Sequence, residues 1–434
     1  MKIKEIFLML FIIAAGIFFY HAQTGKLDWD WGWDWGEGLF FDYDEFKYTE
    51  SQIFEPPFPS TLEIINAHGE VQIKSSPENK IAVTLVKKIY SRNEKDALEI
   101  SDRLSLVHKE EQDIFRLTTN RADFRRRRFR LDFTVTLPEG MNIRVKNSYG
   151  KVYVYKAGRV NIDNPHGEVV IQDASGEIVL ANSYEDIEIY NAGAGCSIES
   201  KNSDINLNNI NGRVWIDNRY GEIHLEELKQ EAVVKGSNLR IYGKNILGSV
   251  DIESSYKQIT LIETGPITIV GNHSPINING CSGSIDITNK YDRIEIKNVE
   301  GDLTVQGRNL EIYAVKIYAE NITVDTSYEN VEINEFSGRT TITLAHGKLT
   351  LSPLPLTASI RADCSYTDII FNWPQDGKYP LEIRTQKGKI QWGLSQAPSE
   401  KIDNGETIYK AFLQESEKPS IFLASSYRTI WIQE

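Results

Sequence analysis

The sequence predicts an all-β protein: a single-chain parallel β-solenoid with about 18 residues per rung, preceded by a small α+β N-terminal cap and an N-terminal hydrophobic helix. Three observations predict it. First, a motif recurs along most of the chain, as in NSYGKVYV from Asn147, NPHGEVVI from Asn164, NSYEDIEI from Asn182, NRYGEIHL from Asn218 and NKYDRIEI from Asn289. Second, each copy carries apolar residues at alternate positions, the period of a strand with one buried face. Third, each copy is followed by a second short alternating strand led by glycine, as in AGRVNI, SGEIVL, NGRVWI and LGSVDI. A unit with so few inward side chains cannot bury a core alone, so the copies must stack.

Composition narrows the function. The 434 residues are 41% hydrophobic and 25% charged, ordinary for a folded protein, and the formal charge of −13 argues against a nucleic-acid partner held by phosphate contacts. Cys196, Cys281 and Cys364 are too few and too far apart for a disulfide scaffold or a zinc site.

In chain order, residues 1–26 read as a signal anchor or signal peptide. Lys2 and Lys4 precede the uncharged run Ile6 to Tyr20, so the body of the protein is expected outside the cytoplasm, in the periplasm or at the cell surface, with the membrane as a partner through this segment. Residues 27–59 read as an acidic linker in which Trp29, Trp31, Trp33 and Trp35 alternate with Asp and Gly. These tryptophans suit a headgroup interface, and a flexible spacer is the other reading. Residues 60–145 form the cap, with strands expected near 81–87, 113–119 and 131–137, and a helix over 93–109, started by Asn93, that turns Ala97, Ile100, Leu104 and Val107 to one face. Residues 146–434 are the solenoid, whose glycines mark corners.

The stretch VTLPEGMNIRVKNSYGKVYV (135–154), followed by Gly-led pairs of short strands, resembles the bacterial putative-adhesin β-strand-repeat family, a domain of unknown function related to the heads of autotransporter adhesins. The resemblance spans about 60–434. It implies a β-helix-like fold on an exported envelope protein and brings no catalytic residues, so the expected function is a non-catalytic, adhesin-like binding or envelope protein. A structural spacer or self-assembling scaffold is the alternative, and a glycan-active β-helix enzyme a more distant one.

Two sets of residues are candidate binding sites. Three residues before the first apolar residue of successive strands stand His68, Tyr149, His166, Tyr184, Tyr220, Tyr256, His273, Tyr291, Tyr328, His346, Tyr366 and Tyr427, the exceptions being Asn202, Gly236, Gly307 and Lys387. Like rings one rung apart pack on each other and shield a turn, which is the structural reading; the functional one is a track for glycans or other envelope components. The second set, Arg125, Arg126, Arg127, Arg128 and Arg130 in RADFRRRRFR, reads as an anion site or as a solvated arm neutralised by the acidic linker. Asp163, Glu199, Asp217 and Glu253 share another column, read as a solvated surface. No phosphate loop, nucleophile elbow or metal-ligand spacing is present, so neither a cofactor nor a metal is expected. Self-association through open solenoid ends is a further expectation.

Overall fold

The computed structural model describes residues 43–124, 126–375 and 377–434, and Glu45–Glu434 form one compact unit. The unit is a parallel β-solenoid. Each regular rung has a longer front strand and a shorter back strand, and both pair in parallel with their counterparts one rung away. Val169–Ala174 lies between Val152–Ala157 and Ile187–Ala192, and Ile178–Ala181 lies between Val160–Asp163 and Cys196–Glu199. The register steps by about 18 residues: Val152, Val169, Ile187, Ile205 and Ile223 are successive partners.

The alternation has the physical cause the sequence suggests. A rung turns Val169, Ile171 and Ala174 of the front strand inward, with Ile178 and Leu180 of the back strand, and all five are buried. At roughly 25 cal/mol per Å², burying each branched side chain contributes about 1.5–3 kcal/mol, but only because the next rung covers it. The corner from front to back strand places one residue at positive φ, such as Asp173 (58°), Asn191 (57°) and Asn209 (57°), with a glycine, Gly280, in the Ile276–Cys281 rung. Here the amides form a ladder: Asn191 Nδ2 donates to Asp173 Oδ1 and Asn209 Nδ2 to Asn191 Oδ1, each at 2.9 Å.

Two rungs start their front strand differently from the motif. Ile223 pairs with Ile241 and Ile294 with Ile312, so Leu239, the first residue of its strand and the partner of Gly221, and Leu310, just before Glu311, both stand two residues ahead of the position that matches other rungs, and both are fully buried. Glycine explains it. Gly236 and Gly307 stand where other rungs bury an asparagine; a Cβ there would meet the Asn218 and Asn289 carbonyl oxygens at 1.6 and 1.8 Å. The Leu239 and Leu310 side chains fill the space beside them.

Neither end of the solenoid follows chain order. Strands Thr61–His68 and Val71–Ser76 form a rung flanked on one side by Asn142–Tyr149 and Val152–Ala157, and on the other by Ile114–Thr119 and Arg128–Pro138. Ile81–Ser91 and Leu106–Glu111 then add antiparallel outer strands, and Asp44–Phe54, expected within a linker, pairs with Ile81–Ser91. Glu50 ties this strand down through Lys87 at 3.0 Å. Helix Glu94–Arg103 packs on the cap, with Asn93 Oδ1 accepting from Asp96 N at 2.9 Å and Ala97 and Ile100 buried. At the other end, Ile421–Ser426 and Thr429–Gln433 insert between the rung 360–372 and the strands Leu381–Gln386 and Lys389–Trp392. Antiparallel Glu406–Ala411 and Ser399–Asp403 close that end.

The expected N-terminal hydrophobic helix requires correction. Among the described residues the α-helix is the ten-residue Glu94–Arg103, and no helix is long and apolar enough to cross a membrane. Over the described residues the fold is a parallel β-solenoid with one short helix. The membrane partnership expected through the N-terminal helix has no spanning helix behind it among those residues. Residues 1–26 themselves lie outside the described residues.

Candidate functional site

The turn from back strand to the next front strand builds the candidate surface, and its asparagine explains the motif. In Asn-x-(Tyr/His) the asparagine points inward and the ring outward. Asn164 Nδ2 donates to Gly150 O (3.1 Å) and Gly167 O (2.8 Å), so one buried amide satisfies carbonyls of two successive turns. Asn182, Asn218 and Asn289 repeat this, Asn218 reaching Ser203 O at 2.8 Å and Tyr220 O at 3.1 Å. Buried carbonyls left without donors are costly, which favours asparagine in these turns; other rungs carry Ser200, Ser254 or Thr326 at the same position.

The rings line up along one edge. His68–Tyr149, Tyr149–His166 and His166–Tyr184 stack with centroids 4.8, 4.6 and 5.0 Å apart and planes within 12°. A second run joins Tyr256, His273 and Tyr291 at 5.6 and 4.5 Å. A third joins Tyr328, His346, Tyr366 and Tyr427 at 5.0, 4.9 and 4.8 Å. Tyr427 thus sits directly on Tyr366, a consequence of the inserted C-terminal rung. Lys387, from the rung beyond, places its Nζ 5.2 Å from the Tyr427 ring centre.

With the register corrected, the column positions at the two glycine rungs are Asn238 and Asn309. In spatial order the column then reads His68, Tyr149, His166, Tyr184, Asn202, Tyr220, Asn238, Tyr256, His273, Tyr291, Asn309, Tyr328, His346, Tyr366, Tyr427 and Lys387. From Tyr149 to Tyr366 a tyrosine stands on every second rung, with histidine or asparagine between. Reading markers at the first apolar residue hid this alternation; the signal was in the matched segments GSNL and GRNL.

The faces of stacked rings cover one another, so the contiguous runs offer mainly ring edges and hydroxyls. Faces open only beside the asparagines. The tyrosines are about half exposed: Tyr220 53%, Tyr184 and Tyr256 56% and Tyr328 58% next to breaks, against 47% for Tyr149 and 43% for Tyr366 with rings on both sides. Tyr291, at 45%, borders a break and departs from this trend.

The arginine run splits among different surroundings. Arg125 lies outside the described residues. Arg127 pairs with Asp96 at 2.9 Å, and Arg128 and Arg130 belong to the strand Arg128–Pro138. Arg126 and Arg127 line a cavity that Asp96, Glu99 and Asp123 also line, so acids share that site. Arg121 lies over the Phe129 ring at 4.5 Å, and burial lowers its pKa. Most of the acidic linker expected to neutralise the arm, residues 27–42, lies outside the described residues; of its described acids, Glu45 engages Lys47 and Tyr90, and Glu50 engages Lys87. Burial, then Arg121 and Arg130, hold the His68 imidazole below the usual histidine range.

The thiols are buried groups. Desolvation pushes Cys196 and Cys364 up to about 12. Asp163, Glu199, Asp217 and Glu253 do share a row of the back sheet, with Ala181 and Lys235 between them. Among the described residues no group of three or more His, Cys, Asp or Glu is placed to hold a metal.

Comparison with known proteins agrees with the repeat. Residues 60–238 match the Toastrack family, DUF4097. The Toastrack match begins at the rung that the cap encloses and runs through the Gly236 turn. Among solved structures, a putative cell adhesion protein from Clostridium sporogenes is similar at 11% identity, over 89% of this chain and 99% of that one, with a TM-score of 0.17. No curated protein matches the chain.

Proposed function

We propose that the protein is a non-catalytic recognition solenoid that works outside the cytoplasm in an adhesin-like role, with the tyrosine–histidine stripe as its contact surface. The observation that carries this reading is Tyr220. Its column neighbours are Asn202 and Asn238, it has no ring partner among the described residues, and it is 53% exposed. Stacking accounts for rings inside the runs but not for a half-exposed tyrosine with no ring on either side. An aromatic body with a polar tip is the group enriched where proteins meet partners.

A structural spacer or self-assembling scaffold is the second reading. It is disfavoured by the antiparallel strands that finish both ends, because such caps remove the parallel template that end-to-end stacking needs. The test is retention of the full chain on an array of glycans and envelope-derived proteins. Replacing Tyr184, Tyr220 and Tyr256 together by alanine should abolish retention while the melting temperature falls only slightly. Unchanged retention by that triple variant would sink the proposal.

A further inference from the structure

The breaks in the stripe are not alike. Each is one missing ring. Neighbouring rings stand about 4.8 Å apart, the strand spacing, so two tyrosines that flank an asparagine are two rungs, about 9.6 Å, apart, enough for one flat group between them. The chain itself fills this arrangement three times with imidazole: His166 lies between Tyr149 and Tyr184, His273 between Tyr256 and Tyr291, and His346 between Tyr328 and Tyr366. At Asn202 the middle group is absent. The Asn202 side chain is exposed, and its Nδ2 donates to Ser183 O at 3.4 Å.

Charge separates this break from the other two. Around Asn202 the register places Glu185, Asp186, Glu199, Asp204 and Asp217 against Lys201 and Arg219. A shallow cavity of about 280 Å³ opens beside the break on its back-strand flank, lined by Ser183, Glu199, Lys201, Asp217 and Arg219 among others, and not by Tyr184, Asn202 or Tyr220. Near Asn238, by contrast, Arg240 pairs with Glu222 at 2.6 Å and Lys235 with Glu253 at 4.0 Å; near Asn309, Arg293 pairs with Glu311 at 3.9 Å. The equivalent positions around Asn238 balance and those around Asn309 set Asp292, Glu311 and Asp325 against Arg293 and Arg308, whereas the break at Asn202 keeps the larger excess of carboxylates.

We propose that the break above Asn202, between the rings of Tyr184 and Tyr220, is a binding site for a planar guanidinium group, as carried by an arginine side chain of a protein partner. The proposal rests on the stripe being the recognition surface. A guanidinium is flat, stacks on aromatic faces and presents N–H donors at its edge to carboxylates, here Asp186 and Asp204 on one flank and Glu199 and Asp217 on the other. A sugar chair is thicker than a single missing ring and carries no charge to offset the carboxylates. The molecule already places cations on aromatic faces: Lys387 on Tyr427, and Arg361 on Phe422 at 4.3 Å.

The test is a titration of the full chain, labelled at tyrosine rings, followed by NMR. N-acetyl-arginine amide should shift the Tyr184 and Tyr220 ring signals saturably and leave Tyr149 and Tyr366 in place, with N-acetyl-lysine amide at least several-fold weaker. Asn202→Tyr, which supplies the missing ring, should abolish the shift, and Asn202→His serves as a second variant if the first folds poorly. Absence of a saturable shift, or an equal shift in a folded Asn202 variant, overturns the proposal. Response to methyl β-glucoside in place of the arginine amide also overturns it, but leaves the stripe a recognition surface. Because Asn202→Tyr removes no tyrosine, failure here with array retention intact discards the guanidinium site alone.

Discussion

At the scale of single residues, the column and the asparagine beneath it separate into surface and scaffold. Asn218 is fully buried and its amide serves two turn carbonyls. Asn218→Ala should therefore cost about 1–3 kcal/mol for buried acceptors left unpaired, read as a fall in denaturant midpoint. The rings should behave differently according to company. His346→Ala removes two stacked contacts and should cost about 1–3 kcal/mol at ~0.5–1.5 per pair. Tyr220→Ala removes none and should cost much less in the same assay. His68 carries a pH dependence whose sign follows from its depressed pKa. The unfolded chain takes up its proton first, near 6.5, so the contribution of neutral His68 is complete above that pH and is lost as pH falls through the lower folded value. His68→Tyr should flatten the loss of melting temperature between about pH 7 and about pH 5; an unchanged slope would show that His68 does not titrate in this way.

At the scale of elements, the two-strand rung and the helix start were legible because each follows from a local rule: period-2 burial, a glycine-led corner, and an asparagine at a helix N-cap. Most rings of the candidate surface were legible for the same reason. The column at Asn238 and Asn309 was not, since Leu239 and Leu310 look like the first inward residue of the motif strand and only the pairing of Ile241 and Ile312 with the rung before shows that they precede it. The substitution is coupled across the turn. Restoring the motif residue at one position alone should therefore harm the fold: Gly236→Asn meets the Asn218 carbonyl and Leu239, at φ +155°, and should destabilise by more than about 1 kcal/mol. A neutral or stabilising Gly236→Asn, measured by thermal melting, would mean that Leu239 moves aside freely.

At the scale of the whole solenoid unit, what could not be read locally is the order of the rungs at the two ends. Nothing in the sequence of Ile421–Gln433 distinguishes a last rung from one inserted before Leu381–Trp392, because the strand pattern is the same in both places and only pairing decides. The insertion matters for the surface, since it puts Tyr427 on Tyr366 and leaves Lys387 to finish the column. Everything proposed for the stripe depends on successive rungs lying in register, and pulsed electron spin resonance between nitroxide labels on outward front-strand positions tests that directly. His224 and Glu332 are joined by six register steps through Tyr242, Thr260, Asn277, Glu295 and Tyr313. At ~4.8 Å per step the backbone separation is about 29 Å. A single narrow distance distribution near that value, allowing for label length, is the predicted result; a broad distribution, or a mean well beyond about 40 Å, would contradict the stacked register and the stripe built on it.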